Sequence, residues 1–169
     1  TKGSRHFAHA FRVGADGALT PHGEAQALAS RSLHVCVDTT GSHLLTAYND
    51  PSGVAVHSIN ADGTLGARVE QPAELETGIF AHQVRVTPSG RAVIVVTRGN
   101  DAAGGKPEDP GALKLFRYSG GVLANAASVA PGKGYGFGPR HLDFHPSQPW
   151  VLRGDMYGNI VLSGGTTLY

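Results

Sequence analysis

Short stretches of alternating apolar and polar residues recur along the whole chain, and Gly, Pro, Asn or Asp residues separate them. Alternation with a period of two is typical of β-strands, whereas helical spacing is weak throughout. We predict strands at Phe7 to Val13, Leu33 to Val37, His43 to Tyr48, Gly53 to Ile59, His82 to Val86, Ala92 to Thr97, Ala112 to Tyr118 and His141 to Phe144. Residues 23–31 fit either a short helix or a strand-linking loop.

The predicted strands belong to a repeating unit. A strand that ends in a tight turn is centred near Val35, near Val84 and near Leu142. A second motif, a glycine turn that leads into an outer strand, lies at Asp16-Gly17, Asp62-Gly63 and Gly120-Gly121. The units recur at intervals of about 46 to 58 residues, and four strands at that period are typical of a β-propeller blade. The chain holds roughly three and a half such units.

Composition and charge narrow the function classes. The 169 residues are 40% hydrophobic and 16% charged, with a net charge of +1, so the chain is neither disordered nor a basic nucleic-acid binder. No apolar run is long enough for a membrane span. Cys36 is the single cysteine, which excludes a disulfide framework within the chain. The lack of a visible secretory signal then favours a cytoplasmic location.

Three stretches carry a family likeness: residues 78–91, 96–101 and 136–146, of which Gly138-Pro139-Arg140-His141 is the most specific. They resemble the 6-phosphogluconolactonase family of β-propellers, which also contains the fungal carboxymuconate lactonising enzyme. The resemblance covers residues 1 to about 151. It implies an all-β fold, a partial β-propeller of three to four blades with four antiparallel strands each. The chain would be a fragment of a seven-bladed type.

The last residues depart from the likeness. We divide the chain into a lactonase-type propeller over residues 1–151 and a divergent tail over residues 152–169. From Asp155 onward the tail resembles a stretch of actin, in which Ser163 to Thr166 would match a loop beside the nucleotide. The rest of the actin sequence is absent, so a sequence junction or a chimera explains this tail better than nucleotide binding does.

Lactone ring-opening needs a base to activate water and a cation or N–H donor for the developing oxyanion. His82 and Arg140 both lie two residues before the aligned centres of their units, so the repeat brings them towards one axis. We predict that His82 acts as base or acid and that Arg140 holds an anion or the oxyanion. Arg98 and His141 are predicted to bind substrate. As alternatives, either histidine could merely cap its strand, and Arg98 could pair with an acidic residue of the insert.

The resemblance implies a lactonase that hydrolyses a sugar lactone such as 6-phosphogluconolactone, without a metal or other cofactor. Two alternatives stay open: a non-enzymatic propeller fragment that serves as an interaction or sugar-binding module, and a carboxymuconate lactonising cyclase. The expected partner is a small-molecule sugar lactone rather than nucleic acid or a membrane. Exposed blade edges also favour self-association of the chain.

Overall fold

The computed structural model describes residues 5–154 and 161–163, and antiparallel strands dominate it. Blade A comprises β1 (His6–Ala8), β2 (Phe11–Val13), β3 (Leu19–Pro21) and β4 (Gln26–Leu28). Blade B comprises β5 (Ser32–Val37), β6 (His43–Asn49), β7 (Ser52–Ile59) and β8 (Leu65–Arg68). Blade C comprises β9 (Ala81–Val86), β10 (Ala92–Thr97), β11 (Ala112–Ser119) and β12 (Val122–Val129). Blade D comprises β13 (His141–Phe144), β14 (Val151–Gly154) and β15 (Val161–Ser163).

Blades B and C are complete four-stranded meanders in which each strand pairs with the next along the chain. Blade D contributes three strands in the same order within the described residues. Blade A consists of two small sheets, β1 with β4 and β2 with β3. Because β1 and β2 precede the repeated glycine turn at Gly17 and β3 and β4 follow it, these four short strands correspond to the outer half of a blade. The predicted all-β partial propeller is confirmed.

Two details of the strand prediction are wrong. The segment from Phe7 to Val13 is not one strand, because the segment that pairs with it contains two interruptions. Pro21 has no N–H to donate, and Gly23 has a positive φ of 76°. Pairing therefore stops at residue 8 and resumes at residue 11. Residues 23–31 contain strand β4 rather than a helix, and the Gln26 side chain donates to the Leu65 carbonyl in blade B.

The repeated glycine turns have the conformation that the repeat requires. Gly17, Gly63 and Gly121 have φ values of 82°, 86° and 85°, a region that L-residues with a Cβ seldom adopt. In two of these turns an aspartate oxygen, from Asp16 or Asp62, accepts the backbone N–H two residues on at 3.0 Å. The alignment of the three units along the chain is thus reproduced in backbone geometry.

Apolar side chains fill the spaces between neighbouring blades. The largest cluster lies between blades B and C and consists of Leu45, Ala47, Val54, Val56, Ala81, Val84, Val86, Val93, Val95, Phe116, Tyr118 and Leu123. Smaller clusters join blade A to blade B and blade C to blade D. Because side chains point alternately to the two faces of a strand, β10 packs against both neighbouring blades. Val93 and Val95 face blade B, while Ile94 and Val96 face blade D.

One polar group also crosses from blade B to blade C. Asp38, at the end of β5, accepts hydrogen bonds from the backbone and ring of His43, from the Ser42 N–H and from the Thr40 hydroxyl. The Tyr118 hydroxyl of blade C donates to the same carboxylate at 3.0 Å. Because the Asp38 side chain is only 4% exposed, this anchor lies inside the interface.

The described residues contain no helix that is long and apolar enough to cross a membrane. Of the predicted tail, residues 152–154 and 161–163 form strands β14 and β15. The remainder of the actin-like stretch, including residues 164–166 of its loop, lies outside the described residues.

Candidate active site

The first residues of the innermost strands β5, β9 and β13 come together on one rim of the molecule. His82, the second residue of β9, is half-buried, and its Nδ1 lies 3.0 Å from the Arg140 carbonyl oxygen just before β13. A carbonyl only accepts hydrogen bonds, so Nδ1 carries the proton and Nε2 of the neutral ring is left with its lone pair. This tautomer is the one that a general base needs at Nε2.

Electrostatics favour the neutral form of this ring. Burial, followed by the nearby His141 ring, lowers the pKa of His82 from its usual value of 6.5. The Arg140 and Arg98 guanidiniums lower the pKa further, while the hydrogen bond to the Arg140 backbone opposes them. His82 is therefore uncharged at neutral pH and available to take a proton.

Arg140 lies beside His82, as the repeat alignment predicted, and His141 also lies beside His82. The His141 ring meets the His82 ring edge-on, with 5.0 Å between the ring centroids. His141 is exposed and Arg140 is half-buried, so both are open to a ligand on this rim. The structure thus brings together three of the four predicted site residues.

Arg98 stands one strand further out, directly after β10. Its guanidinium carbon lies 4.5 Å from the centre of the Phe80 ring, and its Nη1 is 3.9 Å from an Asp101 carboxylate oxygen. Its Nε donates to the Gly99 carbonyl at 3.1 Å. Phe80 itself has a positive φ of 61°, which is uncommon for a bulky residue and points to a fixed loop. These contacts hold Arg98 at the border of the cluster. The alternative pairing of Arg98 with Asp101 is found, but at a distance close to the longest that an ion pair allows.

Two loops that lead away from this rim are fastened to each other. The Gly136 N–H donates to the Glu108 carboxylate at 2.6 Å, and the Gly111 N–H donates to the Gly134 carbonyl at 3.0 Å. The first loop follows Arg98 and the second precedes Arg140. Because they are joined, the loops limit how far the two arginines can move apart.

The sequence prediction missed His34 of β5, a third imidazole near this rim. Burial and then the charges of Arg85, His141 and His82 lower its pKa. Its Nδ1 is buried without a hydrogen-bond partner. The signal that could have found it is the repeat itself, because His34 and His141 occupy the same position in their units.

Within residues 5–154 and 161–163, no group of three or more His, Cys, Asp or Glu residues is placed to hold a metal ion. His145, with metal-like spacing from His141, has a different role. Its Nδ1 accepts the backbone N–H groups of Ser147 and Gln148 and so stabilises the turn after β13.

Comparisons with known proteins agree with this architecture. A family described as a seven-bladed β-propeller lactonase matches residues 2–153. A 6-phosphogluconolactonase of Pectobacterium carotovorum is 31% identical over 141 residues, which is 82% of this chain and 38% of that protein. The Cronobacter sakazakii 6-phosphogluconolactonase is 30% identical over 84% of this chain and 39% of its own length. For the Bacillus subtilis 6-phosphogluconolactonase the values are 29%, 70% and 32%.

The chain spans less than two fifths of the length of these curated relatives. The matched residues cover almost all of the described part, from blade A to blade D. The predicted resemblance is thereby confirmed: the chain belongs to the family of seven-bladed β-propeller lactonases.

Proposed function

We propose that this chain carries the catalytic rim of a lactonase that opens a sugar lactone such as 6-phosphogluconolactone. The observation that carries the proposal is the neutral His82 ring, whose Nδ1 is bound to the Arg140 carbonyl and whose Nε2 is left as the basic nitrogen. The relatives named 6-phosphogluconolactonase support the substrate class.

In the proposed reaction, Nε2 of His82 accepts a proton from water while the water oxygen attacks the lactone carbonyl carbon. The Arg140 guanidinium faces the oxygen that becomes negative. The ring C–O bond then breaks, and the proton on His82 passes to the departing alkoxide, which yields a hydroxy acid. Arg98 and His141 would bind anionic or hydroxyl groups of the substrate, since guanidinium matches oxyanions well. No step requires a metal.

Hydrolysis of freshly prepared 6-phosphogluconolactone tests this proposal. General-base catalysis contributes about 10²- to 10⁴-fold, so His82→Gln should lower kcat by that factor. His57→Gln is the matched control, because burial lowers the pKa of His57 as it does that of His82, but His57 lies in blade B on β7. Wild-type, His82→Gln and Arg140→Met chains that all match the buffer rate would refute the assignment.

We also propose that the isolated chain associates with a second copy through the open face of blade B. Val84 and Val86 of β9 are 0% and 7% exposed beneath blade B, whereas the equivalent Val35 and Val37 of β5 are both 51% exposed. The same repeat position is thus covered in one blade and uncovered in the other. A second copy would continue the interface that already joins blades B and C.

Light scattering of the eluting chain measures this association. Val35→Lys should shift the chain towards the mass of one copy, because a charge would be buried in the interface. Val129→Lys is the control, since Val129 is also 51% exposed but lies on the outer strand β12. An unchanged mass for Val35→Lys would contradict the proposal. Cytoplasmic residence remains a prediction of the sequence.

A further inference from the structure

Strands β9 and β13 carry the site but belong to different blades, so something must fix their relative position. Three side-chain hydrogen bonds join β9 to β13, or to the residue just before it, in the described residues. His82 bonds to the Arg140 carbonyl, the Gln83 Oε1 accepts the Leu142 N–H at 2.7 Å, and Arg85 pairs with the Asp143 carboxylate at 2.8 Å. The contacts follow one another along the two strands, with that of Gln83 in the middle.

The middle contact is the one of the three that lies between buried residues. Gln83 is 5% exposed and Leu142 is 3% exposed, whereas the Asp143 side chain is 71% exposed. An unsatisfied buried N–H costs about 1–3 kcal/mol, while an exposed ion pair contributes about 0–1 kcal/mol. The Gln83 amide therefore dominates the register between β9 and β13 in this region.

Its place in the chain connects this bond to the chemistry. Gln83 directly follows His82, and Leu142 directly follows His141. A shift of Leu142 relative to Gln83 would thus change the 5.0 Å spacing of the two rings and the bond from His82 to Arg140. Displacements of about 1 Å can cost about 100-fold in rate when they move reacting groups.

We propose that Gln83 is a positioning residue of the lactonase site, which holds the blade D residues Arg140 and His141 against His82 through the Leu142 N–H. The role rests on the proposed function of His82.

A matched control separates positioning from general stability. Gln71 makes the same kind of bond elsewhere between blades, since its Oε1 accepts the Leu123 N–H at 2.8 Å. Leu123 is the second residue of β12, the outermost strand of blade C, whereas Gln83 and Leu142 lie on inner strands. Gln71→Met removes this bond and also the two in which the Gln71 Nε2 donates to the Val69 and Gly121 carbonyls, so it should lower the free energy of unfolding at least as much as Gln83→Met does.

Two measurements on the full chain then test the proposal. Gln83→Met should lower kcat at least about tenfold with little change in KM, and should shift the His82 ring resonances, whereas Gln71→Met should do neither. Gln83→Glu keeps an acceptor for Leu142 and adds a negative charge beside His82. This variant should restore most of kcat and raise the pKa of His82, measured by NMR titration, by about one unit.

The outcomes are distinct. Equal effects of the two methionine variants on kcat and on the His82 resonances, or no effect of Gln83→Met on either, would overturn the positioning role. If no variant hydrolyses lactone but the resonance shifts and the pKa change are found, the reaction proposed for His82 fails while the positioning of its ring by Gln83 stands. Where the wild-type chain hydrolyses lactone, failure of Gln83→Glu to restore kcat would count against Gln83.

Discussion

The stability of the interface between blades B and C should depend on pH through the ionisation of the Asp38 carboxylate. Burial alone would raise the pKa of Asp38, but hydrogen bonds from His43, Ser42 and Thr40 outweigh burial and lower its pKa to about 2. An unfolded aspartate titrates near 3.8. Because the folded pKa is the lower one, the ionised group stabilises the fold above the unfolded value, and this stabilisation disappears as the pH falls through about 2.

The magnitude follows from the difference between the two values. A pKa unit corresponds to about 1.4 kcal/mol, so Asp38 should contribute about 2 kcal/mol at neutral pH. The Tyr118 hydroxyl adds a donor to this carboxylate, and burial together with Asp38 raises the pKa of Tyr118, so the hydroxyl stays protonated. Tyr118→Phe should therefore cost about 1 kcal/mol by removing one bond to a charged acceptor.

Urea unfolding of the full chain between pH 6 and pH 2 measures the effect. The wild-type chain should lose about 2 kcal/mol across the acid range, and Asp38→Asn should lose less over that range although it is less stable at pH 6. Asp16→Asn is the control, because Asp16 accepts a single turn N–H at an exposed position. If Asp38→Asn and the wild type lose stability in parallel as the pH falls, the reasoning about this anchor is refuted.

Three further results are expected. The kcat of lactone hydrolysis should fall on the acid side only below the ordinary histidine pKa of 6.5, because the pKa of His82 is lowered and the ring must be neutral to act as base; a pH–rate profile checks this. Gly99→Ala should cost more stability than Gly17→Ala in urea unfolding, since both have positive φ but only Gly99 would place a Cβ against the backbone of the facing insert. Phe116→Ala should cost about 3–5 kcal/mol in the same assay, as Phe116 is 1% exposed between blades B and C.

The fold could be predicted well from the sequence because the repeat depends on features of residues that are close together in the chain. The glycine turns require positive φ, and strand alternation reports which faces are buried, so blades B and C follow from neighbouring residues alone. Blade A was predicted less well. Its two small sheets depend on which strands are available as partners, and the effect of Pro21 on pairing is a property of the partner rather than of the strand from Phe7 to Val13.

The proximity of His82 to Arg140 could be predicted for the same reason, whereas their roles stay a prediction. Equal repeat positions placed His82 near Arg140, and the structure brings Arg140 and His141 beside it. Repeat position does not reveal which nitrogen of a ring carries the proton, since that depends on a carbonyl from the next blade. The contribution of Gln83 was invisible for a similar reason, because its partner is a backbone N–H that has no sequence signature.

Under the proposed function, the two ends of the inner strands have separate tasks, and a double variant tests this separation. His82 lies at the start of β9, whereas Asp38 follows the end of β5. The neighbouring inner strands β9 and β13 run side by side in the same direction, so their starts lie at one rim and their ends at the other. Interactions at one end should thus affect hydrolysis and those at the other end should affect acid stability. Since sites without shared partners are nearly additive, His82→Gln combined with Asp38→Asn should show the kinetic loss of the first and the stability change of the second, within about 0.5 kcal/mol. A larger coupling would mean that the interface between blades B and C transmits strain from one rim to the other, and the chemistry could then no longer be assigned to the rim of His82 alone.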